Sequence, residues 1–85
     1  MGLIVTFADG QAAELIRVDG DRVELRAPRA AAPGSRLSAT LDDGRELRLK
    51  AHRSVRSGDT FTIAGRLIDA TRELRRHLQQ RVPSS

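Results

Sequence analysis

Apolar residues fall on every second position through most of this chain, and polar clusters rich in Asp and Gly interrupt them at short intervals. That period of two predicts half-buried strands joined by tight turns. Leu3 to Phe7 is β-branched and aromatic, and Ala8-Asp9-Gly10 follows as a turn. Ala12 to Val18 reads as a second strand, turned by Asp19-Gly20-Asp21. Arg22 to Arg26 then alternates strictly, with Val23 and Leu25 on one face and charges on the other. The two strands around this Asp-Gly pair predict a hairpin.

Ala27 to Gly34 carries Pro28, Pro33 and a run of alanines, so it reads as a connecting loop, closed by Pro33-Gly34-Ser35. Arg36 to Leu41 is a strand with Leu37, Ala39 and Leu41 in phase, and Asp42-Asp43-Gly44 is a hairpin turn. The longest strand is Glu46 to Arg56, with Leu47, Leu49, Ala51 and Val55 on one face. Arg53 interrupts that face, which predicts a bulge near His52 or emergence of Arg53 at the sheet rim. After Ser57-Gly58-Asp59, Thr60 to Ile68 places Phe61, Ile63 and Leu67 together. Gly65 takes the inward place between them, where a side chain would crowd a neighbouring strand. The period then changes. Asp69 reads as an N-cap and Ala70 to Gln80 as a helix, with Ala70, Leu74 and Leu78 forming a narrow apolar stripe. Arg75, Arg76, His77 and Arg81 suit the negative end of that helix, and Pro83 is expected to end it. Six antiparallel strands and one terminal helix predict a mainly β fold. It is a small closed or split barrel with the helix plugging an open edge or end. One domain is expected over residues 1–82, with 83–85 as a frayed tail.

Composition narrows this further. At 85 residues the core is only just sufficient. Phe7 and Phe61 are the aromatics, both in apolar phase and expected to be buried, so Leu, Ile, Val and Ala must supply the interior. No cysteine is present, which removes disulfides, thiol nucleophiles and thiolate metal sites. His52 and His77 stand far apart without a ligand cluster, so no metal or cofactor is expected. The formal charge is +4 and Lys50 is the one lysine, so the cationic chemistry is that of arginine, whose planar fork suits phosphate and carboxylate. No apolar run approaches the roughly 20 residues that span a bilayer, and no signal peptide is evident. A cytoplasmic domain is the expectation.

The succession Pro33-Gly34-Ser35, a Leu37–Leu41 strand, a Leu47–Val55 strand, Phe61-Thr62-Ile63-Ala64-Gly65-Arg66-Leu67 and a Leu74/Leu78 helix resembles the PilZ domain. The resemblance implies a six-stranded barrel and a role in bacterial signalling. Ala64 stands where that family often has glycine, and Leu67 where it often has phenylalanine. The family's receptors for cyclic di-GMP carry an Arg-x-x-x-Arg segment before the first strand, which would have to precede Leu3 here. They also carry an Asp-x-Ser-x-x-Gly motif entering the third strand. Aligned on Val23 and Leu25, that motif falls on Arg17, Asp19 and Arg22: base for acid, acid for hydroxyl, arginine for glycine. Arg22–Arg26 and Arg72–Arg76 also spell Arg-x-x-x-Arg, but within a strand and within the helix. Cyclic di-GMP is therefore not the expected ligand.

Other chemistry is sparse. Asp42-Asp43 beside Gly44 reads as a solvated turn rather than a carboxylate pair. His52 with Arg53, Ser54 and Asp59 lacks a nucleophile elbow, and a barrel this small leaves little room for an enclosed pocket, so no enzyme is expected. Arg45, Arg48, Lys50, Arg53 and Arg56 line one long strand and its turn and form the densest basic feature, a candidate interaction surface. The expected function is a non-catalytic, PilZ-like regulatory module with a protein partner. The alternative is an arginine-rich barrel binding nucleic acid or a nucleotide at a non-standard site, although both aromatics are committed to apolar phase and leave no stacking platform. The helix stripe could also dock a second copy, which keeps a homodimer among the expectations.

Overall fold

The computed structural model describes residues 3–82; the expectations for Met1, for Pro83 as helix stop and for a frayed Ser84-Ser85 lie outside them. The strands are β1 (Leu3–Phe7), β2 (Ala12–Asp19), β3 (Arg22–Ala27), β4 (Arg36–Leu41), β5 (Glu46–Ser57) and β6 (Thr60–Ile68), followed by helix α1 (Arg72–Arg81). They form a closed barrel in the order β1-β2-β3-β6-β5-β4, antiparallel throughout. Pairing of β1 with β4, Val5 opposite Leu41, closes the ring, so no split is left between the two halves.

The period-two pattern does what it promised. Leu3, Val5, Leu15, Val23, Leu25, Leu47, Leu49 and Ile63 point inward and are buried, as are the alanines at 13, 27, 39 and 51. The two phenylalanines are only half-buried, contrary to expectation, because both stand at strand ends where the barrel opens. Gly65 is inward and faces β5 so closely that a Cβ would sit 2.6 Å from the Lys50 carbonyl oxygen. In the Asp42-Asp43-Gly44 turn, Gly44 takes φ 91°, which its lack of a side chain allows without strain.

A bulge in β5 between Ala51 and Arg53 decides between the two readings of Arg53. The extra residue, His52, reverses the phase, so Arg53 stays outside and Ser54 turns in. The same reversal overturns the expected inward Val55, which is 52% exposed. Ser54 Oγ both accepts from the Ala31 amide and donates to the Ala31 carbonyl, each at 2.9 Å, which ties the loop between β3 and β4 to the barrel.

The helix begins later than its pattern implied. Asp69 is not the N-cap: it holds φ 54°, a left-handed turn that breaks the strand and that Asp tolerates better than most residues. Thr71, in extended conformation, is the cap, its hydroxyl accepting from the Leu74 amide at 3.1 Å. Ala70 precedes the helix but still packs on the core beside Leu74, and Leu78 and Val82 are fully buried. Gln79 donates to the Val18 carbonyl at 3.1 Å. The apolar stripe thus closes the end of the chain's own barrel, between the β2–β3 and β4–β5 turns.

Candidate functional site

Among the described residues, Arg17, Arg26, Arg45, Arg75, Arg81 and His77 stand within ion-pair distance of an acid, and the other nine arginines and Lys50 do not. Around the helix, Arg75 Nε is 2.7 Å from Asp21 and Arg81 is 3.2 Å from Asp42. His77 Nε2 is 3.3 Å from Asp43, which Arg45 also approaches to 3.3 Å. The Arg45 backbone amide donates to Asp43 and, with the neighbouring His77 and Arg45 charges, holds that carboxyl below its ordinary pKa. The Asp42-Asp43 turn is therefore the receptor for the helix C-terminal half. Two atoms there are buried without a well-aligned hydrogen bond, Asp21 Oδ1 and His77 Nε2. Their contacts are Coulombic, at the distances just given.

Four of the cations without an ion pair form a row across the barrel's outer wall. Arg22 on β3 pairs in register with Arg66 on β6, Arg66 with Lys50 on β5, and Lys50 with Arg36 on β4. All four are exposed, all point outward, and none has an ion-pair partner among the described residues. Directly opposed like charges repel. Arg48 and Arg53 flank Lys50 along β5 on the same face. Asp19, opposite Arg22 on β2, ends the row with an acid.

This arrangement redraws the basic surface expected from the sequence. Of Arg45, Arg48, Lys50, Arg53 and Arg56, three share the outer face. Arg45 is bound to Asp43 in the turn. Arg56 falls in the opposite phase after the bulge and donates Nε to the Gly58 carbonyl at 3.2 Å. Arg22, Arg36 and Arg66 take their place. Arg36 was within reach of pattern reading, since the Asp42-Asp43-Gly44 hairpin sets it opposite Lys50. Arg66 was not. The Ser57–Thr60 pairing continued without a bulge would have put Leu67 there.

Arg17, Asp19 and Arg22, the three aligned motif positions, do converge. With Glu24, His52 and Arg66 they line a shallow groove of about 410 Å³, floored by Val23, Ala64 and Gly65. Its charges are mixed: Arg17 sits 3.5 Å from Glu24, its register partner across the β2 bulge, Asp19 opposes Arg22 in register, and Arg66 has no ion pair among the described residues. Ser54 is committed to Ala31 and does not meet His52 as a nucleophile would. No group of three or more His, Cys, Asp or Glu side chains able to hold a metal occurs among the described residues, and no described helix is long and apolar enough to cross a membrane.

These features define a small closed antiparallel barrel, capped by one helix, with an unpaired cationic row on its outer wall. No protein-family model matches the chain, and neither a curated protein nor a solved structure does.

Proposed function

We propose that this chain is a non-catalytic regulatory module of PilZ-like build that works through a protein partner and does not depend on cyclic di-GMP. The observation that carries the proposal is the chemistry of the groove: Arg17 is neutralised by Glu24 and Asp19 faces Arg22. A dinucleotide needs free arginine forks for its two phosphates. Here the Arg17 fork is engaged by Glu24, and Asp19 stands opposite Arg22, so an anion entering beside them meets two carboxylates. Calorimetric titration with cyclic di-GMP is expected to give no binding; micromolar affinity would overturn the reading.

A second reading, nucleic acid or a nucleotide at a non-standard site, draws on the unpaired cations of the outer wall. It requires affinity that falls steeply with salt, because phosphate contacts release counterions. A gel shift that shows no retained nucleic acid at low salt disposes of it.

A further inference from the structure

We infer that the row Arg22, Arg66, Lys50, Arg36 is the docking surface for a short acidic segment of a partner protein, with Val55, four rungs further along β5, as a flanking apolar contact. The inference rests on the reading of the chain as an interaction module and adds where the partner sits and what chemistry it presents.

Three observations converge. The first is the cost of the row. Outside the row Arg17, Arg26, Arg45, Arg75 and Arg81 stand beside an acid, and those arginines that have no ion pair are not opposed in register by another cation. Four cations placed in direct cross-strand register with no acid between them repel one another until an anion covers them. The second is size. Neighbouring strands are about 4.8 Å apart at the backbone, and because the barrel is closed the outward side chains fan further apart, so a segment that follows the row curves around the wall and needs more than the about four residues a flat sheet would take. Three of the four cations are guanidiniums that can take a carboxylate through two parallel hydrogen bonds.

The third observation separates protein from nucleic acid. No aromatic side chain lies on the row; Phe7 and Phe61 are half-buried at strand ends, so bases would find no stacking platform. Asp19 terminates the row and Glu24 lies next to it on β3, so a phosphate backbone continuing past Arg22 would meet acids. A short acidic segment ends before them. Beyond Arg53 on the same face of β5, Val55 is 52% exposed and offers a contact that an apolar residue flanking the acids would cover.

The test uses the full chain and a fluorescein-labelled peptide of about ten residues with four glutamates and a flanking leucine, against an oligothymidylate of about ten nucleotides. Fluorescence anisotropy is read at about 50 mM and about 150 mM salt. The peptide is expected to bind the wild-type chain more tightly than the oligonucleotide. Lys50→Glu and Arg66→Glu should each weaken it about tenfold or more. Arg76→Glu, the same charge change on the helix face turned away from the barrel, should change it less than about twofold. Thermal unfolding verifies that each variant is folded, with Lys50→Gln and Arg66→Gln as milder substitutes. Tighter binding of the oligonucleotide, equal weakening by Arg76→Glu, or no peptide binding would each overturn the proposal. Absent peptide binding together with absent cyclic di-GMP binding removes this surface and leaves the module reading standing; binding of cyclic di-GMP removes the module reading itself.

Discussion

At the helix end, Arg75 meets Asp21 and Arg81 meets Asp42, while on the outer wall Arg22, Arg66, Lys50 and Arg36 stand in register with no acid among them. The same side-chain chemistry serves two purposes. Near the helix, charge orients an element whose hold on the barrel comes from Leu78 and Val82, both fully buried. On the wall, like charges face one another across neighbouring strands, and only Arg22 meets an acid in register, Asp19. The first arrangement satisfies its charges within the molecule, and the second does not.

The largest effect is expected at Leu78. If apolar burial rather than ion pairing holds the helix, Leu78→Ala should cost about 3 kcal/mol in urea unfolding, and Arg81→Ala, whose pair with Asp42 is exposed, less than about 1 kcal/mol. Equal effects would make the helix end an electrostatic clamp instead. Next comes the floor beneath the row. Gly65→Ala puts a Cβ against the Lys50 carbonyl and the Leu49 side chain, so β5 and β6 must shift, at a cost of about 2 kcal/mol. Because that shift separates Lys50 from Arg66, the anisotropy assay should weaken with it.

The helix start offers a smaller effect. Thr71→Ala removes the hydroxyl that caps the Leu74 amide and should cost about 1 kcal/mol. Asp69→Gly should lose nothing and gain a few tenths of a kcal/mol by relieving the left-handed backbone. A large loss at Asp69 would return the cap to that residue. Lys50→Glu reverses the sign: it should stabilise the folded chain by a few tenths of a kcal/mol, since it replaces repulsion from Arg66 and Arg36 with attraction. A destabilised Lys50→Glu variant would mean that the row is not a source of repulsion.

The finest distinction is in pH. Asp43 is held below its ordinary pKa, chiefly by the Arg45 amide, so it binds protons less readily folded than unfolded. Its contribution is therefore fully present above about pH 4 and is lost as pH falls through the lower folded value. Melting temperatures recorded from neutral to acid pH should show a shallower acid limb for Asp43→Asn than for wild type. The row contains no carboxylate, so Arg66→Gln should leave that limb unchanged.

Much of the barrel was legible beforehand because strand alternation, Asp-Gly turns and an inward glycine are local signals. The failures have local causes too. Val55 lies beyond a one-residue bulge, and an extra residue reverses every later side chain in a strand. Asp69 carries a good capping side chain but spends its backbone on the turn out of β6, which leaves the cap to Thr71. The site was less legible. Reading along β5 grouped Arg45, Arg48, Lys50, Arg53 and Arg56; the structure puts Arg48, Lys50 and Arg53 on one outer face, ties Arg45 to Asp43 and gives Arg56 the opposite phase, because position along a strand does not say which side chains an end or a bulge will redirect.

By itself, the sequence determined the order of six strands and one helix, the alternation that puts most of the apolar residues inside, and that the positive charge is carried almost wholly by arginine. Those are consequences of residue type and of spacing within a few positions. Only the tertiary structure decided that Arg22, Arg66, Lys50 and Arg36 are neighbours. Barrel closure orders the strands so that β3 lies beside β6, and the bulge at His52 sets the register between β5 and β6. Register is chosen by the inward side chains and the turns, and the outward cations are carried into line with it.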